Sequence, residues 1–239
     1  MRYLLAIVIL FSLVSSAYAA DIVTVPTANQ LKQGQFDLAY YYIHLDNPPS
    51  APDDGNHFDQ LDESPGAPKN VQVQTAYVGL TDRIELDAHR YDIDKLGDAT
   101  IINASFLLMK ETLATPDIIV GARNIGGTDV GGVPNSDKRS WFVAAAKTLK
   151  LPQSGPPALP VIRLHAGLGT KDGTLLGEYR HNGLFGGVQV LLAPQVGAVA
   201  LYDGQDLITG LTFSPKATGL TLKGGTFGDH WWVGLSWAK

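Results

Sequence analysis

The amino-acid sequence predicts an all-β protein, an antiparallel transmembrane β-barrel of about 12 strands. Three features indicate this fold class. The N-terminus has a leader typical of exported proteins, and most of the remaining chain alternates between apolar and polar side chains. No apolar stretch after the leader is long enough for a spanning helix. Because backbone polar groups must be paired inside a bilayer, a closed barrel is the only other form that spans it.

Residues 1–20 are a predicted signal peptide. Arg2 supplies its positive charge, residues 4–14 are apolar, and small residues up to Ala20 stand at the spacing that signal peptidase accepts. The apolar run has about eleven residues, whereas a membrane-spanning helix needs about 20. We therefore expect cleavage after Ala19 or Ala20 and export of the remaining chain to the outer membrane of a Gram-negative cell.

Residues 21–239 form one predicted outer-membrane domain, with membrane lipid as its first partner. Lys and Arg total 18 and Asp and Glu total 23, and loss of Arg2 with the leader changes the net charge from −5 to −6. No basic run occurs, which argues against nucleic acid as a partner. The chain has no cysteine, so neither a lipid-anchoring cysteine nor a disulfide is expected.

Alternation with a period of two identifies the strands. The clearest strand is residues 83–89, where odd-numbered side chains are polar or charged and even-numbered side chains are apolar. Successive side chains of a strand point to opposite faces, so one face is polar and the other apolar. In a membrane barrel the apolar face meets lipid and the polar face lines the lumen. Arg90 then marks where this strand leaves its apolar surroundings.

The same pattern predicts twelve strands. They are residues 35–45, 71–80, 83–89, 100–109, 118–123, 141–148, 161–168, 184–192, 196–203, 207–213, 218–223 and 230–238. An even count brings both termini to one end of the barrel. Short turn signals occur at 81–82, 193–194, 204–205 and 215–216, and longer polar loops at 46–70, 126–139 and 151–160. We expect the short turns at one end of the barrel and the long loops at the other.

Aromatic residues lie near several predicted strand ends. They are Tyr40, Tyr41, Tyr42, Trp231, Trp232 and Trp237. Amphipathic rings favour a membrane interface. Ordinary core aromatics would give the same pattern, so both interpretations stay open.

The sequence holds no pattern typical of catalysis. Its histidines are scattered, and neither a Gly-x-Ser-x-Gly nor a His-Glu-x-x-His motif occurs. No His, Asp and Glu cluster has the spacing of a metal site. We therefore predict that the protein is not an enzyme and has neither a cofactor nor a metal.

The candidate functional residues are polar side chains on the predicted inner face. They are Arg83, Glu85, Asp87, His89, Arg123, Arg163, His165 and Lys223. One interpretation is a pathway for a hydrophilic solute. The other is a network of ion pairs and hydrogen bonds that fills a narrow lumen and stiffens the wall, which the mixture of charge signs favours. A barrel of about 12 strands is either open or plugged.

Three stretches resemble the YjbH-like outer-membrane β-barrel proteins, which are associated with exopolysaccharide and capsule export. The first, VTVPTANQLKQGQFDLAYYYI, matches through Pro26, Thr27, Ala28, Gly34, Phe36 and Tyr40. The second, PDIIVGARNIGG, matches through Pro116, Asp117, Gly121, Arg123, Asn124 and Gly126. The third, LFGGVQVLLAPQVGAVALYDGQDLITGLTFSP, matches through Phe185, Gly186, Gly187, Val188, Tyr202, Asp203, Gly204, Asp206, Gly210 and Leu211. Leu201 stands where the family has a glutamate.

The expected function is that of a non-enzymatic outer-membrane barrel. The resemblance implies a part in exopolysaccharide export or solute passage, with polysaccharide or envelope export proteins as partners. Two alternatives stay open. One is a structural envelope barrel whose external loops bind a partner, and the other is a soluble periplasmic β-domain.

Overall fold

A computed structural model describes residues 21–22, 25–45, 69–94, 97–128, 139–150, 160–170, 183–204, 206–216 and 218–239. Every regular element in this part of the chain is a strand. Twelve of the strands close into one barrel, in which each pairs antiparallel with its neighbours in sequence and the last pairs with the first. The predicted fold, a closed antiparallel barrel of 12 strands, is confirmed. The predicted signal peptide lies outside the described residues.

Each of the twelve predicted segments corresponds to one barrel strand. The strands are β3 (Phe36–His44), β4 (Asn70–Gly79), β5 (Ile84–Ile93), β6 (Gly97–Met109), β7 (Asp117–Arg123), β8 (Ser140–Lys150), β9 (Val161–Gly169), β10 (Gly183–Ala193), β11 (Val196–Tyr202), β12 (Leu207–Phe213), β13 (Leu220–Phe227) and β14 (His230–Ala238). Two further strands of two residues each, β1 (Asp21–Ile22) and β2 (Val25–Pro26), pair only with each other.

The first barrel strand begins and the last barrel strand ends at the same end of the barrel, which we call the terminal end. Phe36 at the start of β3 and Lys239 after β14 exchange two backbone hydrogen bonds of 3.0 Å. The opposite end is the loop end. Each strand reverses the direction of the one before it, so successive connections alternate between the two ends.

The predicted sorting of short turns and long loops is wrong in two places. The connection at 151–160 joins β8 to β9 at the terminal end, together with most short turns. The short turn at 204–205 joins β11 to β12 at the loop end. In an up-and-down barrel the order of the strands decides at which end a connection lies, and its length has no part in that choice.

The outer surface is apolar over most of the barrel's height, and we call this surface the apolar belt. On β13 and β14, for example, Leu220, Leu222, Val233 and Leu235 point outward and are 40–53% exposed. Trp237 packs edge-on against Phe36 at the terminal edge of the belt, with 5.1 Å between ring centroids.

Beyond the belt, β4 to β6 continue toward the loop end with the opposite distribution. Their outer face is polar, and we call it the polar cap: Gln72, Gln74, Arg90, Asp92, Asp98 and Thr100. Arg90 and Asp98 form an exposed ion pair of 3.0 Å. The inner face behind the cap is apolar and fully buried, as Val71 and Val73 show. This part of the wall is built like a soluble β-protein, with its apolar side chains inside.

Toward the loop end, aromatic rings fill the lumen. Tyr41 and Trp232 face inward and are almost fully buried, with 6.1 Å between their ring centroids. Their neighbours Tyr42 and Trp231 face outward and lie 5.6 Å apart at the loop edge of the belt. The alternation of strand side chains therefore divides the predicted interface aromatics into two groups, and only the outward group is placed to meet an interface.

Candidate functional site

The inner wall toward the terminal end is polar. Seven of the eight candidate residues lie on it and are buried: Glu85, Asp87, His89, Arg123, Arg163, His165 and Lys223. Strand alternation places them there, because each shares its parity with other inward residues of its strand. The structure divides them into groups on different parts of the wall.

The eighth candidate, Arg83, is an exception and corrects the prediction. It is exposed in the turn before β5, which begins at Ile84. Its carbonyl oxygen accepts a hydrogen bond from the backbone N–H of Leu107 at 2.8 Å. The alternation of residue types continues into the turn, but the turn is not a pleated strand. Alternation therefore no longer decides to which face a side chain points.

One polar group joins β4, β5 and β6. Asp87 contacts the His89 Nε2 at 2.8 Å, and the Tyr77 hydroxyl lies 3.0 Å from the same nitrogen. The Asn103 amide donates to Asp87, and the Asn103 Oδ1 accepts from the Asn124 backbone N–H at 2.8 Å. Buried polar groups that are hydrogen-bonded in this way stiffen a wall without leaving uncompensated charge.

A second group surrounds Arg163 on β9. Its guanidinium donates to the Glu111 Oε2 at 2.8 Å and to the Asp117 Oδ2 at 2.7 Å. Glu111 also accepts from the Thr148 backbone N–H at 2.8 Å and from the Thr148 hydroxyl at 3.0 Å. This ion-pair fork ties the β6–β7 turn to β8 and β9 at the terminal end, and charge-assisted contacts of this kind are the stronger hydrogen bonds in proteins.

The Glu111 carboxyl should make the barrel sensitive to acid. Partial burial acts to raise its pKa, but hydrogen bonds from Thr148 and Arg163 outweigh burial and lower the pKa below its ordinary value of 4.5. A carboxyl whose pKa is lowered on folding contributes stability above its unfolded pKa and loses it as the pH falls through the folded value. We expect the stability difference between the native chain and Glu111→Gln to be present at pH 7 and to disappear below pH 4.5. Urea titrations of both proteins at several pH values measure this, and a constant difference would contradict it.

The inner wall also carries polar atoms that no group above uses. His165 and Gln189 lie on adjacent strands and are buried, and their side-chain nitrogen and oxygen atoms have no hydrogen-bond partner among the described residues. On β13, elsewhere on the wall, the Lys223 Nζ donates to the Tyr41 hydroxyl at 3.0 Å. A wall with surplus polar atoms suits contact with water or a hydrophilic solute better than contact with an apolar one.

A segment of the N-terminal chain, residues 25–33, enters the lumen, and we call it the plug. Val25, Thr27 and Ala28 are 0–2% exposed, whereas Lys32 and Gln33 are exposed at the mouth. The barrel therefore has a filled lumen on the side of β4 to β9.

Side chains hold most of the plug against the wall. The Glu85 Oε2 accepts from the Leu31 backbone N–H at 2.7 Å, and the Gln30 Nε2 donates to the Arg83 carbonyl at 2.8 Å. The Arg163 Nη2 lies 3.4 Å from the Ala28 carbonyl oxygen. The two candidate residues Glu85 and Arg163 thus act on the plug, a role that their positions in the sequence do not reveal.

Plug and wall do not pack perfectly. A cavity of about 20 Å³ lies between them, lined by Pro26 and Thr27 of the plug and by wall residues that include Glu85, Asp87 and Arg123. This is room for one or two water molecules at about 10–15 Å³ each. The plug therefore rests partly on a polar surface that has room for water.

Among the described residues, no group of three His, Cys, Asp or Glu is placed to hold a metal ion. No helix in the same part of the chain is long and apolar enough to cross a membrane.

Known structures include two similar barrels. An outer-membrane channel from Pseudomonas putida F1 is 14% identical, with a TM-score of 0.41, over 88% of this chain and 96% of that chain. The N-terminal β-barrel domain of Pseudomonas aeruginosa OprF is 10% identical, with a TM-score of 0.27, over 87% of this chain and 100% of that chain. No family model and no curated protein matches the sequence. The resemblance to YjbH-like proteins stays a prediction.

Proposed function

We propose that this chain is a non-enzymatic outer-membrane barrel that is closed at rest and passes hydrophilic solutes when the plug moves aside. The observation that carries the proposal is a closed barrel with an apolar belt outside and, toward the terminal end, a largely polar wall inside. A soluble protein has the reverse distribution, since it buries apolar side chains and exposes polar ones. On β4 to β6, beyond the belt, the polar cap follows the soluble distribution.

Lipid is the surrounding that the apolar belt fits. Contiguous exposed apolar patches on soluble monomers rarely exceed a few hundred Å², whereas this belt is formed by outward side chains on most of the barrel strands. Outward aromatic residues lie at both edges, with Trp231 and Tyr42 toward the loop end and Trp237 with Phe36 toward the terminal end. Two aromatic girdles flanking an apolar band are typical of outer-membrane barrels.

Arginine substitutions on the outer face test whether lipid surrounds the apolar belt. We expect Leu222→Arg, within the belt, to lower the free energy of unfolding in lipid vesicles by about 2 kcal/mol, because a charge on the lipid face must leave water. Asp92→Arg, on the outer face of the polar cap and opposite Asp98 and Gln72, is the matched control and should change it by less than about 0.5 kcal/mol. Urea unfolding followed by tryptophan fluorescence measures both. Equal, small effects would favour the soluble periplasmic alternative.

Solute passage is supported by the polar inner wall and by the limited attachment of the plug. Both charge signs line the wall, so the proposed solute class is hydrophilic. The resemblance to YjbH-like proteins makes exopolysaccharide a candidate within that class, with export proteins as partners. The full chain in planar bilayers should show rare, brief openings from a closed baseline. A folded barrel that never conducts would argue against passage.

A second function, a structural barrel with partner-binding loops, is favoured by one specific observation. The plug and the polar groups around Asp87 and Arg163 fill much of the lumen near the terminal end, and such a network stiffens the wall even if nothing passes. Bilayer recordings separate the two functions, because only passage requires that the lumen open.

A further inference from the structure

We infer that the plug is a reversible gate that swings out of the lumen at the terminal end, with Arg163 and Glu85 as the positioning residues that hold it in place. This inference rests on the proposed function and adds where residues 25–33 leave the lumen and which wall residues hold them.

Side-chain contacts attach the plug to the wall, whereas backbone ladders attach every barrel strand to its neighbours. Each barrel strand shares a hydrogen-bonded ladder with two neighbours, and even the short β7 has seven paired positions with β8. Strand β2 of the plug pairs only with β1. The contacts described above between plug and wall each involve a side chain. Segments with few backbone hydrogen bonds to the rest of the fold open without global unfolding. The plug can therefore leave while every ladder of the barrel stays intact.

Geometry at the mouth favours exit at the terminal end. The plug joins β3 there, through exposed residues that end at Gly34. Gly34 has φ of +78°, a left-handed conformation that favours glycine, and a Cβ built on it would meet no atom within 4 Å. The Gly34 backbone N–H donates to the Gly79 carbonyl at 2.9 Å, so Gly34 stays with the wall and its open surroundings leave room for residues 25–33 to turn about this point. Gly79, by contrast, closely contacts the Lys32 backbone and marks where the resting plug lies against the wall.

Charge pairing makes the open state accessible. Arg163 keeps both carboxylate partners, Glu111 and Asp117, when the plug leaves, and gives up only the long 3.4 Å contact with Ala28. An unpaired buried charge would oppose opening, but release of the plug does not create one at Arg163. Glu85 would exchange the Leu31 N–H for water at the widened mouth.

Thiol accessibility tests the gate in the full chain. The sequence has no cysteine, so Ala28→Cys introduces a single thiol at a position that is 1% exposed at rest. We would reconstitute this variant and measure its rate of labelling by a membrane-impermeant maleimide. Labelling should be slow in the parent and several-fold faster after Glu85→Ala or Arg163→Met is added. Arg90→Met, which removes an exposed ion pair of the polar cap, is the matched control and should leave the rate unchanged.

Two results would overturn the gate. Labelling of Ala28→Cys as fast as that of an exposed Lys32→Cys would show that the plug is not held inside. Equal slow labelling in parent, Glu85→Ala and Arg163→Met would show that neither residue holds it. If Arg163→Met does not fold, the Glu85→Ala comparison decides alone. Faster labelling without any bilayer current would support the gate but contradict the proposed solute passage, so the two failures are distinguishable.

Discussion

Replacing Arg163 with methionine is expected to lower the free energy of unfolding by about 3 kcal/mol, at the lower end of the cost of breaking a buried ion pair from one side, because both carboxylate partners are partly exposed. Methionine keeps most of the side-chain length but removes the cation that Glu111 and Asp117 both contact at 2.7–2.8 Å, and leaves Glu111 only the longer 3.7 Å contact with Lys147. Two neighbouring carboxylates then face each other in a partly buried site. Urea unfolding in lipid vesicles at pH 7 measures the loss.

Arg83→Met is the matched control for this loss. It removes the same side chain from an exposed position in the β4–β5 turn, where substitutions change stability by about 0.5 kcal/mol or less. Similar losses in the two variants would show that Arg163 acts only as a surface charge. The same two variants also test solute passage. Only the change at Arg163 is placed to alter the ion selectivity of an open lumen.

Replacing Gly225 with alanine is expected to lower the free energy of unfolding by about 3 kcal/mol, at the upper end of typical overpacking costs. Gly225 faces inward on β13, opposite Gly210 on β12. A Cβ at this position would lie 1.8 Å from the Thr209 carbonyl oxygen and 2.5 Å from the Gly210 Cα. Those atoms belong to the backbone, so the strands themselves would have to separate.

Gly224→Ala is the control for this prediction, one residue away on the opposite face. Its new Cβ would meet the nearest atom, the Trp232 carbonyl oxygen, at 3.4 Å, an ordinary contact distance. The same urea titration compares the two variants. Equal losses of stability in Gly225→Ala and Gly224→Ala would show that the loss comes from replacing a glycine as such and not from the close approach of the strands at Gly225.

The strands could be predicted because the alternation of side chains between faces is directly visible in the sequence. Residues 83–89 show it, and the structure contains β5 at this place. The pattern does not say which face is the inner one. On β4, Gln72 and Gln74 alternate with Val71 and Val73, and the valines point inward because this part of the wall belongs to the polar cap.

The plug could not be predicted from its own residues. Residues 25–28 show no alternation, and their burial depends on a lumen that exists only after all twelve strands have closed. The partners of Arg163 were equally hidden, because Glu111 and Asp117 lie 52 and 46 residues away in the chain. Local periodicity reveals strands, whereas contacts across a barrel depend on its closure and register.

The most direct test of the account is whether the apolar belt meets lipid in the cell. The full chain would be expressed with its leader in a Gram-negative host, and the isolated envelope washed with alkaline carbonate. We expect the mature protein to stay with the outer-membrane fraction and, without heating, to migrate on a gel as a folded barrel. Release of folded protein into the carbonate wash would contradict the account, because a barrel whose belt is embedded in lipid cannot leave the membrane while it remains folded.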